Sequence, residues 1–349
     1  MKYLITGAPG WLGTEFIKSL SGNKKNLIEL KNNMDIQEIR CLIQPNISNK
    51  ILKKINKNIN CFEGDLTNPH SLINFFKNSK NSTLFHIAGL IHPKYFIKEI
   101  WNLNYRGTKN ILNAAIKNNI KRIIVVSSNS PVGVNANNFS LFNEKSPYNP
   151  YLEYGKSKMK MENLIQNSYK KGEIETVVIR PCWFYGPGQP DRQSLFFKMI
   201  KDGNAPIVGN GENKRSMSYI ENISQGLMRA AIYEKANGQL YWIADKEPYS
   251  MNQIIDTIEY LLENEFKISV KHKRMKLPNI ASKFAYGIDW SLQKLGLYHQ
   301  KIHVLSEMNK TIACSIDKAR IELNYEPEFD LMEGMRKSIS WALNNNQKI

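Results

Sequence analysis

Apolar residues along this chain come in short blocks, with longer amphipathic stretches between them. The blocks predict strands at Lys2–Thr6, Ile39–Ile43, Asn60–Glu63, Thr83–Ile87, Arg122–Ser127, Glu175–Ile179 and Gln239–Ile243. Several are continuous apolar runs, such as RIIVVS and TVVIR, the pattern of strands covered on both faces of a parallel sheet. Helical spacing occupies the intervals, for example Arg106–Asn118 and Tyr154–Lys171. Strand–helix alternation of this kind predicts an α/β fold with a doubly wound parallel sheet of the Rossmann type. The segment SGNKKNLIELKNNMDIQ, after the first helix, is long for such a connection and reads as a surface insertion.

From Gly186 to about residue 215 the pattern loosens, as it does from Lys267 to Glu328. These pieces predict a smaller, irregular C-terminal cap that binds substrate. The division expected is a dinucleotide-binding part over residues 1–185 and a cap over 186–349, with 220–262 returning a strand and helices to the sheet.

Composition narrows the setting. The 349 residues contain no run of 18 apolar residues, so no integral membrane span is expected. The opening MKYLITGAPGWLG is a strand entering a glycine loop, too short in its apolar part for a signal peptide, so the protein is expected to start at Met1. Cys41, Cys61, Cys182 and Cys314 form no CxxC pair, which fits a reducing, cytoplasmic location and no metal site. The net charge of +17 is spread along the chain and reads as a solvated surface, with no nucleic-acid partner. The exception is KHKRMK at 271–276. It precedes LPNIASKFAYGIDWSLQKLGL, a stretch that either covers a pocket or lies on a membrane surface. His299 and His303 are four residues apart but lack a third ligand nearby and read as ordinary histidines.

KYLITGAPGWLGTEF is the strongest local signal. Gly7, Gly10 and Gly13 follow a strand and open a helix, where glycines allow a tight turn and close approach to a pyrophosphate. The helix N-terminus then offers free N–H groups to the phosphates. The spacing is GxxGxxG rather than GxGxxG. Pro9, Trp11 and Leu12 share this loop. The second strand ends at Gln44, neither acidic nor basic, so NAD and NADP both remain open as cofactor.

Tyr154 and Lys158 stand four apart on a predicted helix and therefore share a face. A neighbouring ammonium lowers the pKa of a phenol and fits it to exchange a proton with an alcohol during hydride transfer. Ser127 and Ser128 end the fifth strand, at the carboxyl edge where ligands of such sheets bind.

In their order these motifs resemble the extended short-chain dehydrogenase/reductases, also called the NAD-dependent epimerase/dehydratase family, nearly end to end. TGAPGWLG resembles the family's TGxxGxxG. GDL implicates Asp65 and Leu66 beside adenine, and FHIAG places Ile87, Ala88 and Gly89 beside the cofactor ribose. NLNYRGTKNIL implies Asn104 as a structural asparagine, counted with the cofactor-binding residues. YGKSK matches YxxxK, which implies Tyr154 as acid/base with Lys158 as its partner, and the spacing to Gly133 implies Ser128 as the active-site hydroxyl. RPCWFYGPGQP puts Pro181 beside the nicotinamide and Trp183 toward substrate. GNGENKRSMSYIEN resembles a loop whose arginine, here Arg215, reaches a phosphate. ENISQGL and KARIELNYEPEFDLMEGM resemble later family segments.

Departures narrow the implied chemistry. Asn129 and Ser130 replace the Asp-Glu of the dehydratases. Trp183 stands where many sugar-nucleotide epimerases carry asparagine, and Pro181 and the C-terminal segment resemble the 3β-hydroxysteroid dehydrogenase branch. The resemblance implies an NAD(P)-dependent oxidoreductase acting on a small-molecule secondary alcohol or ketone. A UDP-sugar 4-epimerase using the same residues is the alternative, and a non-catalytic dinucleotide sensor a third. A homodimer is compatible with it.

Overall fold

A computed structural model describes all 349 residues. Seven strands form one parallel sheet: β1 (Lys2–Thr6), β2 (Glu38–Ile43), β3 (Asn60–Glu63), β4 (Thr83–His86), β5 (Arg122–Val126), β6 (Glu175–Pro181) and β7 (Gln239–Ile243). Their order is β7-β6-β5-β4-β1-β2-β3, so the chain reverses direction across the sheet between β1 and β4. The central strands are buried along their length, β1 from Tyr3 and β4 and β5 throughout. This burial on both faces explains their continuous apolar sequence.

Two layers of helices make that burial. Helix α1 (Trp11–Leu20) turns Leu12, Phe16, Ile17 and Leu20 to the sheet, where the Phe16 ring packs edge-on against Phe85 at 4.5 Å. Opposite it lie α2 (Thr108–Lys117) and α3 (Leu152–Lys170). The expected helix from Arg106 begins later, because Trp101–Gly107 is a π-helical stretch running into α2. That wide turn brings Asn104 inward.

The segment between α1 and β2 is not a plain surface insertion. It folds into a 3₁₀ turn (Lys25–Leu27) and a short helix (Ile28–Asn32), and it buries Leu27 and Met34 in the main core. Lys24 bridges Glu15 of α1 and Glu221, the latter at 2.7 Å, tying the segment to helix α5 (Ile220–Ile232). Apolar positions too sparse to show a period can still supply anchors.

The remaining C-terminal pieces cover the carboxyl edge of the sheet. They include α4 (Asp191–Lys201), α7 (Asn279–Lys294), α8 (Gln300–Glu307) and a parallel pair of short strands, Ala205–Val208 with Arg274–Leu277. Helix α6 (Met251–Tyr260) has a complete capping box, Ser250 with Gln253, and α9 (Leu331–Asn344) is capped by Asp330. No helix is long and apolar enough to cross a membrane.

Candidate active site

A cavity of about 1270 Å³ lies between the carboxyl edge of the sheet and the cap. One end is the loop from β1 to α1. Gly7 has φ +91°, and a Cβ there would lie 2.6 Å from the Ala88 backbone nitrogen. A Cβ on Gly10 would lie 2.7 Å from the Gly7 carbonyl oxygen. These two glycines are therefore required by the loop's own packing, before any ligand is considered. Gly10 is also the N-cap of α1 and offers no side-chain cap, which leaves the helix N-terminus to the cavity.

Along the wall from this loop come Pro9, Trp11, Leu12, Gln44, Leu66, Ile87, Ala88 and Gly89, then Ser128, Tyr154, Lys158, Trp183 and Arg215. Trp11 is fixed by its indole N–H, which donates to the Pro187 carbonyl at 2.8 Å. Three expected residues lie off the cavity wall. Asp65 turns Oδ1 to its own turn, accepting from the Thr67 amide and hydroxyl at 2.8 Å each. Asn104 is fully buried and pins the β4 loop, accepting from the Leu90 amide at 2.8 Å and donating to the Leu90 carbonyl at 2.9 Å. Pro181 ends β6 behind Cys182 and Trp183, which do line the cavity.

Tyr154 and Lys158 emerge from the first turns of α3, both buried. The Lys158 ammonium donates to the Val126 carbonyl at 3.0 Å, at the end of β5. It also lies 3.2 Å from where a Cβ on Gly89 would sit, which ties it to the β4 loop. Burial pulls its pKa down to about 8, opposed by Glu162 one turn further along. Burial pushes the Tyr154 phenol above its ordinary range, and the Ser128 hydroxyl opposes that shift. Glu162 itself is clamped by Arg180 through two bonds, Nη2 to Oε2 at 2.5 Å and Nε to Oε1 at 2.9 Å, so α3 is locked to β6.

One feature, His86, escaped the sequence, and a second, the open hydroxyl of Ser127, sharpens what the sequence offered. His86 sits wholly buried at the end of β4, between the Thr6 hydroxyl at 2.7 Å and the Thr108 hydroxyl at 2.9 Å. Burial, reinforced by Lys158, holds its pKa down to about 3, so it is neutral and braces the floor of the site. Ser127 Oγ is buried, lines the cavity and has no hydrogen-bond partner in the protein. A buried polar group left open in a cavity fits a bound ligand. With the glycine loop and the open helix end, it makes the residues present suit a dinucleotide.

The cap supplies the far wall. Trp183 packs against Phe196 with ring centres 5.9 Å apart, and Met217, Met308 and Ile312 add apolar surface. Arg215 is not a surface charge. It lines the cavity, its Nη2 donates to the Glu307 carbonyl at 2.5 Å, and its Nε is buried without a partner. His303 pairs with the buried Asp289 at 2.7 Å, which raises its pKa against the opposing effect of burial. His299 instead caps α8 by accepting from the Ile302 amide.

A sequence profile described as the NAD dependent epimerase/dehydratase family matches residues 3–244. The chain belongs to that family. An uncharacterised Sinorhizobium fredii protein, y4nL, is 43% identical over 345 residues, covering 99% of this chain and 96% of that one. Mouse 3 beta-hydroxysteroid dehydrogenase type 7 is 25% identical, covering 97% and 95% of the two chains. Among solved structures, UDP-glucuronic acid 4-epimerase from Bacillus cereus, in complex with NAD, superposes with a TM-score of 0.74 at 20% identity and full coverage of both chains. This family member is accordingly an enzyme with a nicotinamide dinucleotide, NAD or NADP, as its cofactor.

Proposed function

We propose that this enzyme is a dehydrogenase/reductase that interconverts a secondary alcohol and its ketone. The observation that carries the reading is the meeting of Tyr154, Lys158 and Ser128 on one wall of a cavity whose other end is the open glycine loop. The cofactor supplies the hydride acceptor or donor. Tyr154 takes the hydroxyl proton during oxidation and returns it during reduction. Lys158 beside it favours the phenolate, and its bond to the Val126 carbonyl fixes where that charge sits. Ser128 holds the substrate oxygen by a hydrogen bond. The residues around the glycine loop and the β4 loop, with Ser127 and Gln44, hold the dinucleotide.

The apolar far wall of Trp183, Phe196, Met217, Met308 and Ile312 favours a substrate with an apolar body. A second reading, a UDP-sugar 4-epimerase, draws on Arg215, whose open Nε suits a phosphate oxygen. Two facts weigh against it: Trp183 gives that wall no amide to a diphosphate, and Arg215 is already engaged with Glu307.

The deciding experiment offers sterol-like alcohols and UDP-sugars separately to the purified protein with added NAD or NADP. Reduction of cofactor in proportion to product with an apolar alcohol is the expected result. Interconversion of UDP-sugars with no net reduction and a retained cofactor would replace the dehydrogenase by the epimerase.

A further inference from the structure

Helix α7 is built inside out. The side chains it turns to the protein are Ser282, Ala285, Asp289 and Gln293. Those it turns to solvent include Ile280 (57% exposed), Phe284 (67%), Ile288 (52%) and Trp290 (49%). The inward face is held by polar contacts. Ser282 donates to the Ser306 carbonyl at 2.7 Å, Asp289 pairs with His303, and Gln293 accepts from the Glu153 amide at 3.1 Å.

The apolar surface continues past the helix. Leu295 and Leu297 are exposed, and backbone bonds join this stretch to the loop after β4: Ile97 to the Gly296 carbonyl at 3.0 Å and Tyr298 to the Tyr95 carbonyl at 2.8 Å. Tyr95 and Phe96 are exposed on that loop. Single exposed apolar residues need no explanation, but a contiguous set of this kind marks a contact surface.

Its charge is mainly positive, with Glu99 the acid beside it on the loop. The ammonium groups of Lys94, Lys98 and Lys294 lie 5.3, 5.3 and 5.4 Å from the ring centres of Tyr95, Phe96 and Trp290. Lys283 and Lys301 are exposed beside them, and the one acid of α7, Asp289, is buried.

We propose that this face docks on the surface of a bilayer containing anionic phospholipid. Apolar side chains ringed by lysines enter the boundary between headgroups and acyl chains while the ammonium groups stay with the phosphates. A second copy of this chain fits less well, since a symmetric contact would set these lysines against one another. The face also adjoins the cavity. Ile91 and Val304, both exposed, line its wall, and Ile97 and Tyr298 beneath the patch share one buried cluster with Tyr154. The docking surface is read from packing and charge and does not depend on which substrate the site takes.

The test is co-sedimentation of the full-length protein with vesicles of phosphatidylcholine, alone or mixed with phosphatidylglycerol. Wild type is expected to bind the anionic vesicles at least about tenfold more strongly than the neutral ones, and less in high salt. The double variants Phe284→Glu/Trp290→Glu and Lys283→Glu/Lys294→Glu should each lose that binding with the thermal midpoint and NAD affinity retained. No binding of wild type to anionic vesicles would overturn the proposal, as would undiminished binding of both folded variants. A wild-type dimer that Phe284→Glu/Trp290→Glu converts to a monomer, without vesicle binding, would assign the face to a second copy instead.

Discussion

Helices α1 and α7 are both amphipathic, yet they lie opposite ways round. Helix α1 puts Leu12, Phe16, Ile17 and Leu20 against the sheet, whereas α7 puts Ser282, Ala285, Asp289 and Gln293 against the protein and leaves Phe284 and Ile288 outside. The difference follows from what each covers. The face of a parallel sheet is apolar, and burying it is the main gain from folding there. The surface under α7 is the rim of a polar site, with His303, the Ser306 carbonyl and the start of α3, and a helix seated there must bring hydrogen-bonding groups. Helix α1 is thus held by apolar packing against the sheet, whereas α7, which does not itself line the cavity, is held by hydrogen bonds to α8 and α3, which do.

The sharpest way to break this contrast is at the chemical wall. Tyr154→Phe keeps the buried ring and removes the proton-transfer group. Turnover is expected to fall by roughly 10²–10⁴-fold, with cofactor affinity little changed by calorimetric titration. Full turnover in this variant would remove Tyr154 from the mechanism.

Stability provides the next test. Phe16→Ala should cost about 3–5 kcal/mol in denaturant unfolding, because the ring is fully buried against Phe85. Should the loss prove small, α1 would not be the rigid partner of the sheet described above.

Lys158 is expected to act in the reverse sense. Burial holds its folded pKa near 8, below the ordinary 10.5, so between those values the unfolded chain binds more protons. Stability should therefore rise with pH through that window in the cofactor-free protein. At pH 7 Lys158→Met removes the penalty of a buried ammonium and should raise the thermal midpoint, by roughly 2 °C or more, while abolishing activity. A lowered midpoint would mean that the bond to the Val126 carbonyl outweighs the cost of burial.

The smallest effect is expected on the outer face of the cap. Phe284→Ala should change unfolding free energy by no more than about 0.5 kcal/mol, since two-thirds of the residue is exposed. Set beside Phe16→Ala, it measures the inversion of the two helices directly.

The sheet was legible from the chain because strands covered on both sides must be apolar at successive positions. β1 and β7 begin and end where the pattern places them. Tyr154 and Lys158 were legible because the helical repeat aligns residues four apart. Asp65 and Asn104 were expected among the cofactor-binding residues, and each also bonds its own loop, a use that the motif does not reveal for a short polar side chain. His86 was missed because one histidine in an apolar run carries no signal until its two hydroxyl partners, 80 and 22 residues away, arrive beside it.

Periodicity and spacing along the chain determined where the strands lie, the glycines of the loop and the placing of Tyr154 and Lys158 four apart on one helix, all of which are written in the local order of residue types. Tertiary structure alone decided which face of α7 turns inward, that Arg215 is held by the Glu307 carbonyl with its Nε left open, and that Ser127 is left without a partner in the cavity. Those outcomes depend on which surfaces meet across the cavity, and segments far apart in sequence acquire that relation only when the sheet and its cap close on each other.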